Sequence, residues 1–145
     1  MKIIVQRVKS AQVEVDYKLI SRIDQGLLIF LGIAKTDTGK EIEWLAKKIS
    51  ELRIFEDDQG KMNRCIKEIN GEILLVSQFT LYADCRKGRR PGFDAAALPD
   101  KAERMYREFR DTLLNNEIIV KTGIFAADMQ VSLINDGPVT IILER

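Results

Sequence analysis

Gly26-Leu27-Leu28-Ile29-Phe30-Leu31-Gly32 carries no polar side chain at any position. A strand with one wet face alternates apolar and polar residues, so an unbroken apolar run predicts a strand covered on both faces. Ile73-Leu74-Leu75-Val76 repeats the pattern and predicts a second such strand. Covering both requires packed layers, and two segments have helical spacing. Between 38 and 52, Ile42, Leu45, Ala46, Ile49 and Leu52 fall on one stripe. Pro99 suits the first turn of a second helix, whose stripe is Ala102, Met105, Tyr106, Phe109 and Leu113.

Outward from this frame, 2–9 reads as a strand with Ile3, Val5 and Arg7 on one face and Ile4, Gln6 and Val8 on the other. Residues 11–16 and 19–23 alternate around a short turn at Tyr17-Lys18. Asp57-Asp58-Gln59-Gly60 reads as a surface turn rather than a metal site, and further strands are expected near 118–125, 128–134 and 138–143. No repeat, linker or low-complexity segment interrupts the chain. The expectation is an α/β fold, a single layered domain over 1–145 with mixed β-sheets and two main helices.

Composition narrows the chemistry. Apolar residues make up 46% and charged residues 31% of 145, the balance of a globular domain with a core. Lysine and arginine (23) nearly cancel aspartate and glutamate (22), so any nucleic-acid contact must come from a local patch. The first residues are apolar only as far as Gln6 and Arg7, too short a run for a signal peptide or a membrane span. Cys65 and Cys85 have no CxxC spacing and read as free thiols of a reducing, cytoplasmic compartment. Histidine is absent. That excludes a Ser-His-Asp or Cys-His triad and a zinc site with imidazole ligands. A base must come from another side chain or from the substrate, and no cofactor or required metal is expected.

Three short stretches could carry chemistry. Ser77-Gln78-Phe79-Thr80-Leu81 follows the second buried strand and sets three hydrogen-bonding side chains where backbone N–H groups leave the ladder. The plain alternative is a strand end whose hydroxyls cap loose backbone groups. Asn135-Asp136-Gly137-Pro138-Val139-Thr140 lies between two apolar segments, and a turn is the default because proline lacks a ladder donor. The functional alternative is a rigid, exposed Gly-Pro peptide. Arg86, Lys87, Arg89 and Arg90 crowd one loop shortly after Leu81; a solvated loop is the bland reading, phosphate steering the other. Arg7 is a smaller oddity: if the face it shares with Ile3 and Val5 is buried, its five donors need acceptors, such as carbonyl oxygens.

Together these stretches resemble the D-aminoacyl-tRNA deacylase family. Its two signature motifs, SQFTL and NxGPVT, stand at 77–81 and 135–140. The likeness continues through GLLIFLG at 26–32, RIFEDDQGKMN at 53–63, RRPGF at 89–93 and FAADMQVSL at 125–133. Gly92 departs from it, standing in the basic loop where relatives often carry serine. The resemblance implies a homodimer in which Gly137-Pro138, joined by a cis bond, reaches the partner's pocket near Ser77, Gln78, Phe79 and Thr80. It implies that Arg7 holds the Gly-Pro carbonyls and that Ala102 and Phe125 line a place for the terminal adenosine. Arg86, Lys87, Arg89 and Arg90 would then meet the transfer RNA. The expected substrate is the 3′ end of aminoacyl-tRNA, with no membrane and no DNA partner. A catalytically silent RNA-binding module, or a dimer in which the Gly-Pro segment is only a clamp, are the competing readings.

Overall fold

The computed structural model describes residues 1–145, and its longest central element is β1 (Lys2–Val15). β2 (Lys18–Ile23) pairs antiparallel with the second half of β1, and β3 (Gly26–Gly32) with the first half. α1 (Gly39–Glu51) follows, then a small hairpin of β4 (Phe55–Glu56) and β5 (Met62–Arg64) around the expected Asp57–Gly60 turn. β6 (Glu72–Ser77) lies parallel to β3, and β7 (Ile119–Thr122), reached through α2 (Pro99–Asn115), lies parallel to β6. β8 (Gln130–Glu144) returns antiparallel along β1. The sheet is therefore mixed, in the order β2-β1-β3-β6-β7 with β8 on β1. It curls until Ser21 Oγ on β2 donates to the Thr122 carbonyl on β7 at 2.8 Å. No helix is long and apolar enough to cross a membrane.

The apolar run at 26–32 behaves as its composition predicts. Leu27, Ile29 and Leu31 enter the larger core with Ile42, Leu45 and Ile49 of α1 and Met105, Phe109 and Leu113 of α2. Leu28 faces a second core with Leu74, Val76, Val8, Val13 and Ile23. Fully burying each such side chain contributes about 1.5–3 kcal/mol. α1 begins at a capping box: the Thr38 hydroxyl accepts from Lys40 N, and the Glu41 carboxylate accepts from Thr38 N at 2.7 Å. α2 begins at Pro99, where a missing N–H removes nothing from the helix.

Three boundaries differ from expectation. Residues 2–9 and 11–16 are one strand, not two, because β8 pairs with β1 from Lys2 to Glu14 and holds the whole length extended. The strand expected over 118–125 is only Ile119–Thr122, and the chain beyond it forms a loop. The turn expected at 135–140 is absent, since β8 runs through it. Gln6 pairs with Thr140 and Val8 with Asn135, so residues 136–139 bulge opposite the single residue Arg7. Proline without a donor is at home in such a bulge.

Candidate active site

Where β6 ends, its partner β3 ends too: Leu31 pairs with Ser77, and the Gln78 N–H donates to the Leu31 carbonyl at 2.8 Å. The chain then tightens into a single 3₁₀ turn, Phe79–Tyr82, closed by Leu81 N to Gln78 O and Ala83 N to Thr80 O. The Gln78 side-chain amide donates to the Thr80 hydroxyl. Phe79 is 56% exposed, which no fold argument explains for so large a ring.

Ser77, Gln78 and Phe79 line a cavity of about 690 Å³, of the size that holds a small organic ligand. A strap at 93–98 makes one wall. It is pinned to the end of β3 by Lys35 N to Ala95 O (3.0 Å) and Ala97 N to Ile33 O (2.9 Å), and Phe93 sits edge-on to Phe79 at 5.0 Å. The loop from Phe125 to Met129 also lines it. Ala102 and Phe125, both expected at the site, line it; Thr80 does not, and reaches it only through Gln78. Lys35, Asp94 and Asp128 bring the only charges to an otherwise mainly apolar lining.

Sequence reasoning missed the strap and the role of Tyr106. The Tyr106 hydroxyl donates to the Leu75 carbonyl at 2.7 Å, two residues before Ser77, and its ring borders Phe125. Burial pushes that hydroxyl well above the usual phenol range, so it stays a donor. Tyr106 had been legible only as part of a helical stripe. The Gln78 N–H is not a free oxyanion donor in this arrangement, because Leu31 already accepts it.

The basic residues stand beside the cavity and not in it. Asp84 and Gly92 exchange both backbone hydrogen bonds (2.8 and 2.9 Å), and the loop carrying Arg86, Lys87, Arg89 and Arg90 projects from that bridge, fully in solvent. Arg86 is partly spent on Asp84, whose two oxygens it meets at 2.9 and 2.7 Å; the pairing holds the carboxyl below its usual range.

The third stretch lies elsewhere on the chain. The Gly137–Pro138 peptide is cis, both residues are exposed, and neither lines this chain's own cavity. Arg7 supports their base. It is 4% exposed, and its Nε donates to the Asp136 carbonyl at 3.0 Å, with the Asp136 carboxylate also 3.0 Å away. Its Nη1 donates to the Ile54 carbonyl at 2.5 Å. The buried face and the carbonyl acceptors are as expected, but the carbonyl Arg7 holds belongs to the residue before Gly137. No three Cys, Asp or Glu side chains converge as a metal site would require.

The family model described as D-Tyr-tRNA(Tyr) deacylase matches residues 4–144. The chain belongs to that family. Among its relatives, the D-aminoacyl-tRNA deacylase of Desulfatibacillum aliphaticivorans is 58% identical over 99% of each chain. That of Thermosipho africanus is 54% identical over 99% of this chain and 97% of its own. Both carry the name of a hydrolase. A solved structure of a c-Myc DNA unwinding element binding protein is 44% identical, with a TM-score of 0.94, covering 100% of this chain and 99% of that one. The deacylase family thus accounts for the whole fold described above.

Proposed function

We propose that this protein hydrolyses the ester of D-aminoacyl-tRNA, releasing the D-amino acid and the transfer RNA. The observation that carries the reading is the pairing of two features: a preformed cavity at the end of β6, and a stiff, exposed Gly137-Pro138 bulge that does not line that cavity in its own chain. In a homodimer the bulge of one copy enters the pocket of the other, near Ser77, Gln78, Phe79 and Thr80. A main-chain wedge beside the α-carbon collides with an L side chain and leaves a D side chain free. Repulsion of this kind discriminates more strongly than a missing contact does.

The chemistry asks little of the protein. An aminoacyl ester is already activated, and a donor aimed at the developing oxyanion contributes on the order of 10²–10³-fold. Phe79 N–H supplies that donor, with Gln78 and Thr80 ordering the turn around it. Without histidine, the vicinal 2′-hydroxyl of the terminal ribose activates the water. The apolar wall around Ala102 and Phe125 takes the terminal adenosine, and Arg86, Lys87, Arg89 and Arg90 meet the phosphates beyond it. Cys65 and Cys85 are both free, in keeping with a reducing compartment. A wedge that works by collision cannot reject glycine, so glycyl-tRNA is cleaved as well, more slowly.

The test is hydrolysis of D-tyrosyl- and L-tyrosyl-tRNA by the purified protein. Rapid release of the D amino acid with little of the L supports the reading; equal rates, or none, overturn it. The second reading is nucleic-acid binding without turnover, favoured by the name of the 44% identical solved protein. Tight retention of RNA or DNA on a filter, with no hydrolysis in parallel, would select it.

A further inference from the structure

The bulge that carries Gly137-Pro138 is fastened from both sides of β1, and only one fastening is explained by burial. Arg7, on the inner face, holds Asp136. Gln6 points the other way, and its Nε2 reaches the Asn135 Oδ1 at 3.2 Å and the Thr140 Oγ1 at 3.3 Å. Those two acceptors are the residues on either side of the bulge, at the positions where the β1–β8 ladder stops and resumes. A single amide therefore ties together the two ends of a four-residue excursion.

The Asn135 amide has a second contact. A β-carbon built on Gly137 would lie 3.3 Å from Asn135 Nδ2, so the end of the asparagine side chain lies against the Gly137 α-carbon. With Oδ1 accepting from Gln6, the amide plane is fixed and its nitrogen end is held under the bulge. Val139, 6% exposed, is planted in the larger core at the far end. The exposed peptide thus stands on three supports: Arg7 through Asp136, Gln6 through Asn135 and Thr140, and the buried side chain of Val139.

We propose that Gln6, acting through Asn135 and Thr140, is a positioning residue for stereochemical selection: it holds the Gly137-Pro138 peptide at the height needed to exclude an L side chain. This rests on the reading of that peptide as the chiral filter. A filter that works by collision depends on stiffness, because a wedge free to retreat by a fraction of an ångström admits what it should exclude. Two solvent-facing hydrogen bonds at 3.2–3.3 Å add little to global stability, which separates their role from that of the core.

The experiment measures kcat/KM for D-tyrosyl-, L-tyrosyl- and glycyl-tRNA with the wild type, Gln6→Ala and Thr140→Val. Gln12→Ala is the control, since Gln12 also donates its amide from β1, to Glu14 at 2.7 Å, but lies away from the bulge. Gln6→Ala is expected to raise the ratio of L to D turnover by about tenfold, Thr140→Val by less and Gln12→Ala not at all, with thermal midpoints of all three close together. Amide hydrogen exchange at Gly137 and Val139 is expected to quicken in Gln6→Ala alone among the β1 variants. Wild-type discrimination retained in both Gln6→Ala and Thr140→Val overturns the brace while leaving the filter intact. A wild type that does not distinguish D from L overturns the filter, and the brace with it.

Discussion

Arg7 shows how far a single residue can be read before its surroundings are known. Alternation placed it on the face of Ile3 and Val5, and burial of that face demanded acceptors for its donors; which carbonyls answered depended on chain 47 and 129 residues away. Arg7→Ala strands the Ile54 and Asp136 oxygens, and because Asp136 stays partly solvated the expected loss is about 2–3 kcal/mol, measured by urea unfolding. Tyr106 was readable as a core residue but not as a donor, since nothing in its helical spacing points to the Leu75 carbonyl. Its folded hydroxyl, like that of Tyr82, is raised by burial above the phenol value. An unfolded chain gives up these protons near pH 10. Stability from this source is therefore complete below about pH 10 and falls as pH climbs toward the folded values. Unfolding midpoints followed from pH 8 to 11 should fall at the alkaline end in the wild type and fall less in Tyr82→Phe with Tyr106→Phe.

At the scale of elements, the segments that were legible are those whose own composition dictates them. β3 is apolar throughout and β6 from Ile73 to Val76, and both helices carry a continuous stripe, so their existence and nearly their ends follow from spacing alone. Phe109, fully buried between α2 and the sheet, is the obvious keystone of that stripe: Phe109→Ala is expected to cost about 3–5 kcal/mol in urea unfolding. β8 was misread because a Gly-Pro pair inside a strand and a Gly-Pro pair in a turn look alike until the partner strand is known. The ladder from Gln6 to Thr140 and from Val8 to Asn135 decides for the strand, and so turns an ordinary-looking turn into a projecting bulge. The basic loop was placed correctly beside the 77–81 segment by nothing more than chain distance. Reversing Arg89 and Arg90 to glutamate should raise KM for transfer RNA and weaken the salt dependence of KM, with kcat and thermal midpoint little changed; an unaltered KM would show the loop to be mere solvated surface.

At the scale of the whole molecule, the sequence marked both stretches, 77–81 and 135–140, and the structure sets them apart, the first at the cavity and the second on an exposed bulge that does not line it. A cavity and a bulge on one chain that do not meet are explained together if two copies meet. Composition and spacing could not report this, because it concerns the space outside one chain; only the resemblance of the two motifs to a family pointed to a partner copy. The account accordingly stands on a wedge supplied from a second copy. Its most direct test co-expresses two differently tagged variants and isolates the mixed species. In one, Pro138→Gly lets the wedge yield, since glycine frees the dihedral that proline fixes. In the other, Ala102→Trp fills the cavity and abolishes turnover. Every working pocket in the mixed species then belongs to the copy with the loosened wedge, and faces the intact wedge of its neighbour. L-Tyrosyl-tRNA hydrolysis is predicted to drop from the Pro138→Gly level to the wild-type level; hydrolysis persisting at the Pro138→Gly level, or failure to recover any mixed species, would contradict the account.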